Sequence, residues 1–344
     1  MRRPLRAHSY RTAAAVVLAC GLTVTSQQAA RADPPTLTRV RAQLAGLYHD
    51  AEVATDKYNA ADEKVAAQQK RVDVLNARVK TAEAKLSVLN SQAGAMARAQ
   101  YRGGWLPAEM QLVLDDDPAT ALDNASLNRE AQQARHSVLT ALSTTREDLR
   151  RRTDDASDEL KHLKATRHTR KNEQHTIEQH ITAAKKLESQ LAAAELQQIA
   201  ALDEKDADDA QTKWVSTGVL KKVGTEATPA GRKAVAYATR QIGKPYVWGA
   251  EGPNSFDCSG LTSQAWLAAG HPIPRTSQEQ WRQLKHIPVE DMRPGDLIIY
   301  FSDASHVALY IGDGKIIQAP RPGRWVYVAP AASMQILGAV RPDA

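Results

Sequence analysis

Cysteine is nearly absent from this chain. Its 344 residues hold two, Cys20 and Cys258, so a disulfide scaffold is excluded. Long apolar runs are also missing, because no window approaches the roughly 20 apolar residues that a membrane-spanning helix needs. Proline is scarce over a long middle stretch: between Thr36 and Thr228 only Pro107 and Pro118 occur. The excess of basic charge is local. The formal net charge is +6, but residues 1–32 carry five Arg and no acid, so the remainder carries +1. Electrostatic binding of nucleic acid thereby loses its main support, and none is expected as a partner.

The basic start reads as an export signal. Arginines run to Arg11, an apolar stretch follows from Thr12 to Val24, and Ala30-Arg31-Ala32 precedes Asp33-Pro34-Pro35. That order predicts secretion to the cell envelope or beyond, with cleavage after Ala32. A lipid-anchored Cys20, in Val17-Leu18-Ala19-Cys20, is the competing reading. After cleavage at Ala32 one cysteine remains, Cys258. In an exported protein such a thiol is an intermolecular link, an inert buried group, or a nucleophile.

Residues 33–217 read as a long antiparallel coiled-coil hairpin. Eighteen positions from Leu37 to Met96 recur at steps of three and four, and all but Gln68 are apolar. The helix they predict is roughly 90 Å long. A looser second segment runs from Leu139 to about Leu202, its seam interrupted by Arg167, Arg170 and Gln174. Between them Gly103-Gly104-Trp105-Leu106-Pro107 and Asp115-Asp116-Asp117-Pro118 mark the tip where the chain reverses, flanking a short helical patch from Ala108 to Leu114. The hairpin is either a spacer or dimerising coil, or a regulatory or docking arm. Trp105, Leu106, Met110 and Leu112 at the tip suit a membrane-bound envelope partner, and the coil can alternatively fold back over its own domain. Five His lie in the second arm region (His136, His162, His168, His175, His180); His175 and His180 are five apart, not the four that a metal on one helix face requires. They read as solvated positions, and no metal or cofactor is expected.

A linker at residues 218–228 separates this arm from residues 229–344, where composition changes abruptly. That tail holds 11 of the 16 prolines, 11 of the 18 glycines and 11 of the 17 aromatic residues. It reads as α+β: a helix over Lys233–Gln241, a helix opened by Cys258 and ended by Gly270, then strands at Leu297–Phe301, His306–Ile311, Lys315–Ala319, Trp325–Ala329 and Ile336–Val340 in a small antiparallel sheet. Cys258 sits at the first turn of its helix, where unpaired N–H groups and the dipole favour a thiolate. Of His271, His286 and His306, the first two fall in connecting segments. His306 opens an apolar strand, a rigid mount for a base. Gln318, on the return strand, can hold the imidazole through its amide oxygen. A tight two-residue turn at Asp313-Gly314 would place Gln318 opposite Leu309, so a bulge or longer turn is required to bring it to His306.

Four motifs carry a resemblance. Pro245-Tyr246-Val247-Trp248-Gly249, Asp257-Cys258-Ser259-Gly260-Leu261, Arg293-Pro294-Gly295-Asp296-Leu297, and His306-Val307-Ala308-Leu309-Tyr310-Ile311-Gly312 followed by Ile317-Gln318-Ala319-Pro320 together resemble the NlpC/p60 family of papain-like bacterial cell-wall cysteine peptidases. The resemblance covers about the last 115 residues; the coil more weakly resembles arms that precede such domains in exported peptidoglycan hydrolases. It implies a catalytic set of Cys258, His306 and Gln318, a substrate site lined by Tyr246, Asp257, Ser259 and Ser277, and peptidoglycan stem peptides as substrate, cut between D-glutamate and the diamino acid. Two positions depart from the pattern. Gln318 stands where His or a carboxylate is usual, and Ala250 where a glycine often follows Gly249. Other readings are an amidase cutting elsewhere in the wall peptide, a non-catalytic coiled-coil activator of another hydrolase and, more remotely, a transglutaminase-like acyl transferase.

Overall fold

The computed structural model describes residues 37–102 and 118–344. The signal-like segment and the expected hairpin tip lie outside the described residues. Helix α1 spans Leu37–Arg102 and helix α2 spans Pro118–Glu188. At 1.5 Å per residue α1 is about 100 Å long. The two run antiparallel, as the cross-links show: Arg146 reaches Asn90 at 3.4 Å, Arg167 reaches Gln69 at 2.8 Å, and Tyr48 donates to Glu188 at 2.8 Å. Helix α2 begins well before Leu139. Its first turns are rich in Ala, Asn, Gln and Arg and expose Leu127 and Leu139, so helix propensity carries them where no apolar seam does.

The second segment is two helices. Helix α2 ends at Glu188 and α3 (Ala193–Ser216) restarts after a short break, with the Glu195 carboxylate accepting from Ala192 N at 2.7 Å. Helix α3 turns back along the start of α1, where Arg41 pairs with Asp203 and Asp206 and Ile199 joins Val40, Leu44, Tyr48 and Ala184 in an apolar cluster. Among the described residues, no helix is long and apolar enough to cross a membrane.

The C-terminal part contains α4 (Pro229–Thr239), α5 (Cys258–Ala268) and α6 (Ser277–Gln283), then β1 (Lys285–Ile287), β2 (Leu297–Tyr300), β3 (His306–Gly312), β4 (Lys315–Gln318), β5 (Tyr327–Pro330) and β6 (Ile336–Arg341). The six strands form one antiparallel sheet in the order β1-β6-β2-β3-β4-β5. Alternation along each strand serves two cores. Leu297, Ile299, Val307, Leu309 and Ile317 pack with Leu261 and Trp266 of α5 and with Ala234 and Ala238 of α4. Ile298, Tyr300, Ala308, Tyr310 and Ile316 pack on the other face with Val223, Trp214, Val219 and Leu220. Residues 218–228, expected as a linker, therefore contribute to the second core, and Gly224 N donates to Met292 O at 2.7 Å. Helix α6 and strand β1 were not expected from the sequence. The first is only seven residues long, its N-terminus capped by the Thr276 hydroxyl.

Helix α1 does not project freely from its base. Val40, Leu44, Val65, Val72 and Leu89 are buried along the expected seam, but from Tyr48 to Ala61 a second face is buried as well. That face carries Glu52, Thr55, Asp56 and Asn59, and it lies against the C-terminal domain at the starts of α5 and β3.

Candidate active site

Cys258 is the first residue of α5. Asp257 caps the helix with an extended backbone, its Oδ1 accepting from Gly260 N at 2.6 Å. Gly260 is required here: a Cβ would lie 2.2 Å from the Ala250 carbonyl and 2.8 Å from Asp257 Oδ1. The Ala250 carbonyl also accepts from Asp257 N at 2.9 Å, so the turn before α5 closes tightly on the helix start.

His306 begins β3, across from Tyr300 of β2. Its Nε2 lies 2.8 Å from Gln318 Oε1. That contact depends on a register shift between Tyr310 and Gly312, which pairs Leu309 with Ile317. Continuing this register puts Gln318 across from Ala308, one side-chain repeat from His306 and on the same face. The unbulged hairpin would send it to the other face, because a slip of one residue exchanges the faces of a strand. The positive φ of Gly312, Asp313 and Gly314 accommodates bulge and turn together. Gln318 is held in turn: its Nε2 donates to Tyr327 Oη at 3.1 Å.

Cys258, His306 and Gln318 are respectively 4%, 1% and 2% exposed, so water screens them little. Burial pushes the Cys258 thiol up, and the nearby His306 imidazole draws it partly back. Burial alone would push His306 down. The facing Glu52 carboxylate and Cys258 more than reverse this, and the imidazole titrates well above its ordinary value. Nε2 is committed to Gln318, which leaves Nδ1 as the ring nitrogen open to Glu52. Nδ1 makes no hydrogen bond and stands 3.5 Å from Glu52 Oε1.

The other expected residues surround this pair. Asp257 is fully buried and gripped by Arg275, whose Nη1 and Nη2 reach its two oxygens at 3.0 and 2.7 Å. Arg275 Nη1 also donates to Ser259 Oγ at 2.9 Å, and its Nε pairs with Glu251. Tyr246 is buried beside Cys258, and burial holds its phenol well above the ordinary value. Ser277, first residue of α6, donates to Ala304 O at 2.6 Å and contacts Asp56. His271 and His286 have other partners: the first stands edge-on to Trp266 and the second stacks on Trp281.

Residues that sequence reasoning missed complete the picture. Arg275 sits in a short loop directly after Pro272-Ile273-Pro274, and only its burial reveals its part. From α1, Asn59 Nδ2 donates to Asp257 Oδ2 at 3.1 Å, Tyr58 stands edge-on to Trp248 at 5.2 Å, and His49 Nε2 pairs with Asp303 at 3.2 Å. Helix α1 thus lies along the cleft and touches Asp257, Ser277 and His306. Beside it a cavity of about 670 Å³ remains between α1, α3 and the sheet, reaching Gln318, Arg321 and Tyr327. Among the described residues, no cluster of three His, Cys, Asp or Glu side chains is arranged to hold a metal.

Residues 243–334 match the model of the NlpC/P60 family. A probable endopeptidase of Corynebacterium glutamicum is 45% identical over 104 residues, 29% of this chain and 50% of that protein. The probable endopeptidase p60 of Listeria monocytogenes is 42% identical over 91 residues, 26% of this chain and 19% of that protein. Among solved structures, the NlpC/p60 domain of the peptidoglycan hydrolase SagA is 37% identical, covering 32% of this chain and 97% of that one, with a TM-score of 0.31. The matched part spans about half the length of the first curated relative and about a fifth of the second. The C-terminal domain of this chain, which carries Cys258, His306 and Gln318, belongs to the NlpC/P60 family.

Proposed function

We propose that this domain is a cysteine endopeptidase of the bacterial cell wall that cleaves peptidoglycan stem peptides at the bond between D-glutamate and the diamino acid. The observation that carries the reading is a buried Cys258 at a helix N-terminus, coupled to a His306 whose far nitrogen is fixed by Gln318. A thiol so placed has one chemical use that burial alone does not explain. The likeness to proteins named endopeptidases and a peptidoglycan hydrolase supports the substrate class.

In this mechanism the Cys258 thiolate attacks the scissile carbonyl carbon, and backbone N–H groups in the first turn of α5 stabilise the oxyanion. The His306 imidazolium gives its Nδ1 proton to the leaving amine as the C–N bond breaks. Water then adds to the thioester, His306 takes its proton, and the acid product leaves with the thiolate restored. Gln318 fixes the ring without charging it.

The test uses residues 193–344, which retain the α3 residues that cover the sheet and omit the helix across the cleft. Mass spectrometry of muropeptides incubated with this piece should show stem cleavage at the D-glutamyl bond. Products cut elsewhere support the amidase reading. No products at all, from a folded piece, would leave the activator reading standing. Export of the protein, expected from residues 1–32, is part of the same proposal.

A further inference from the structure

Helix α1 puts three polar side chains on the three groups a wall peptide would meet. Glu52 faces His306, Asp56 meets Ser277, and Asn59 meets Asp257. All three are buried, and spaced at four and three residues they form one continuous face. A helix placed here for packing alone would present apolar groups, because burying unpaired polar atoms is costly. Each of these is instead matched to a domain partner.

We propose that Glu52 is a surrogate counter-ion for the His306 imidazolium, which keeps Cys258 as a neutral thiol while α1 is docked. The proposal rests on the hydrolase reading for its purpose, but not for its test. Charge counting in a dry site gives the reason. With Glu52 present, carboxylate and imidazolium already balance, so deprotonating Cys258 would leave a net negative charge where water cannot solvate it. Without Glu52, the thiolate becomes the anion that balances the imidazolium, and losing one proton takes the pair from net positive to neutral. The position of Gln318 makes this exchange possible. Because the group on Nε2 is neutral, His306 has one vacancy for an anion, at Nδ1, where Glu52 stands 3.5 Å away; the Cys258 thiolate, which His306 also favours, competes for the same positive charge. The arm therefore restrains the domain chemically as well as by covering its cleft.

Asp56 and Asp257 raise the thiol pKa, Tyr246 borders it, and Arg275 offsets Asp257. Glu52 also raises Asp56, so its removal favours an ionised Asp56, which pushes the thiol up. A fall in the thiol midpoint on substituting Glu52 alone therefore runs against that effect and is assigned to Glu52 itself.

The experiment is the pH dependence of Cys258 alkylation by iodoacetamide in the full chain, wild type against Glu52→Gln, with hydrogen exchange over residues 48–61 as the readout of docking. Glutamine keeps the size and helix preference of glutamate and removes its charge. The wild-type midpoint should lie above the ~8.5 of a free thiol. In Glu52→Gln the midpoint should fall by at least about one unit, giving roughly tenfold faster alkylation at pH 7 with exchange protection retained. An unchanged midpoint overturns the proposal. So does acceleration accompanied by lost protection over 48–61, which would make α1 a simple cover. Alkylation needs no wall peptide, so failure of residues 193–344 to cleave muropeptides would refute the hydrolase reading and leave this result untouched.

Discussion

Asp56 accepts a hydrogen bond from the Ser277 hydroxyl, whose one proton it shares with the Ala304 carbonyl 2.6 Å from Ser277 Oγ. Divided between two acceptors, that proton compensates the Asp56 carboxylate only in part. Burial therefore raises Asp56 to about 8, with Asp257 and Glu52 adding to the push and Ser277 and Arg275 opposing it. Once α1 leaves the cleft, Asp56 returns toward 3.8. The docked state thus holds a proton that the released state gives up, so docking weakens as pH rises from about 4 to about 8 and levels off above that. The ratio of peptide hydrolysis by the full chain to that by residues 193–344 should climb between pH 6 and 8. In Asp56→Asn that climb should flatten; an undiminished slope contradicts the assignment.

His306 and Gln318 should differ in weight. In residues 193–344, His306→Ala removes the proton carrier and should lower kcat by about 10²–10⁴-fold. Gln318→Ala removes only the group that orients the ring, so its loss should be smaller and should appear in kcat with little change in KM. Equal losses would mean that Gln318 does more than orient.

Arg275 should matter to stability more than its loop position suggests. Its side chain is 7% exposed and holds Asp257, Ser259 and Glu251 together. Arg275→Ala strands the fully buried Asp257 carboxylate and should cost about 3–5 kcal/mol in chemical denaturation. Arg275→Lys should recover only part of this, since an ammonium cannot grip both oxygens as a fork does. A loss below 1 kcal/mol in Arg275→Ala contradicts this reading.

Among the described residues Trp266 is the largest fully buried side chain, and its indole N–H donates to Gly295 O at 3.1 Å. Trp266→Ala should destabilise the domain by about 3–5 kcal/mol, checked by denaturant unfolding. A cost near zero would mean that the core collapses around the gap.

The elements with strong periodicity were legible in the sequence. The apolar steps from Leu37 onward marked α1, short apolar runs bounded by turn residues marked the strands from Leu297 to Val340, and Asp313-Gly314 marked the hairpin. Helix α6 was missed because six polar residues and a single Trp281 show no apolar stripe. The placement of Gln318 was legible only as a condition, since a bulge at Gly312 leaves no compositional trace beyond a glycine. Glu52, Asp56 and Asn59 were invisible for a different reason. On a helix with a good apolar seam, polar residues off the seam read as solvent-facing. Only the contact with Asp257, Ser277 and His306, some 200 or more residues away in sequence, shows that they are buried. The hairpin tip at Trp105 and the signal-like start lie outside the described residues.

The most direct measurement is mass spectrometry of purified muropeptides incubated with residues 193–344, wild type beside Cys258→Ala. The expected result is cleavage of the D-glutamyl–diamino acid bond by the wild type and intact peptides with Cys258→Ala, both pieces giving the same circular dichroism. Equal turnover by the two, or intact peptides with both, contradicts a Cys258 endopeptidase.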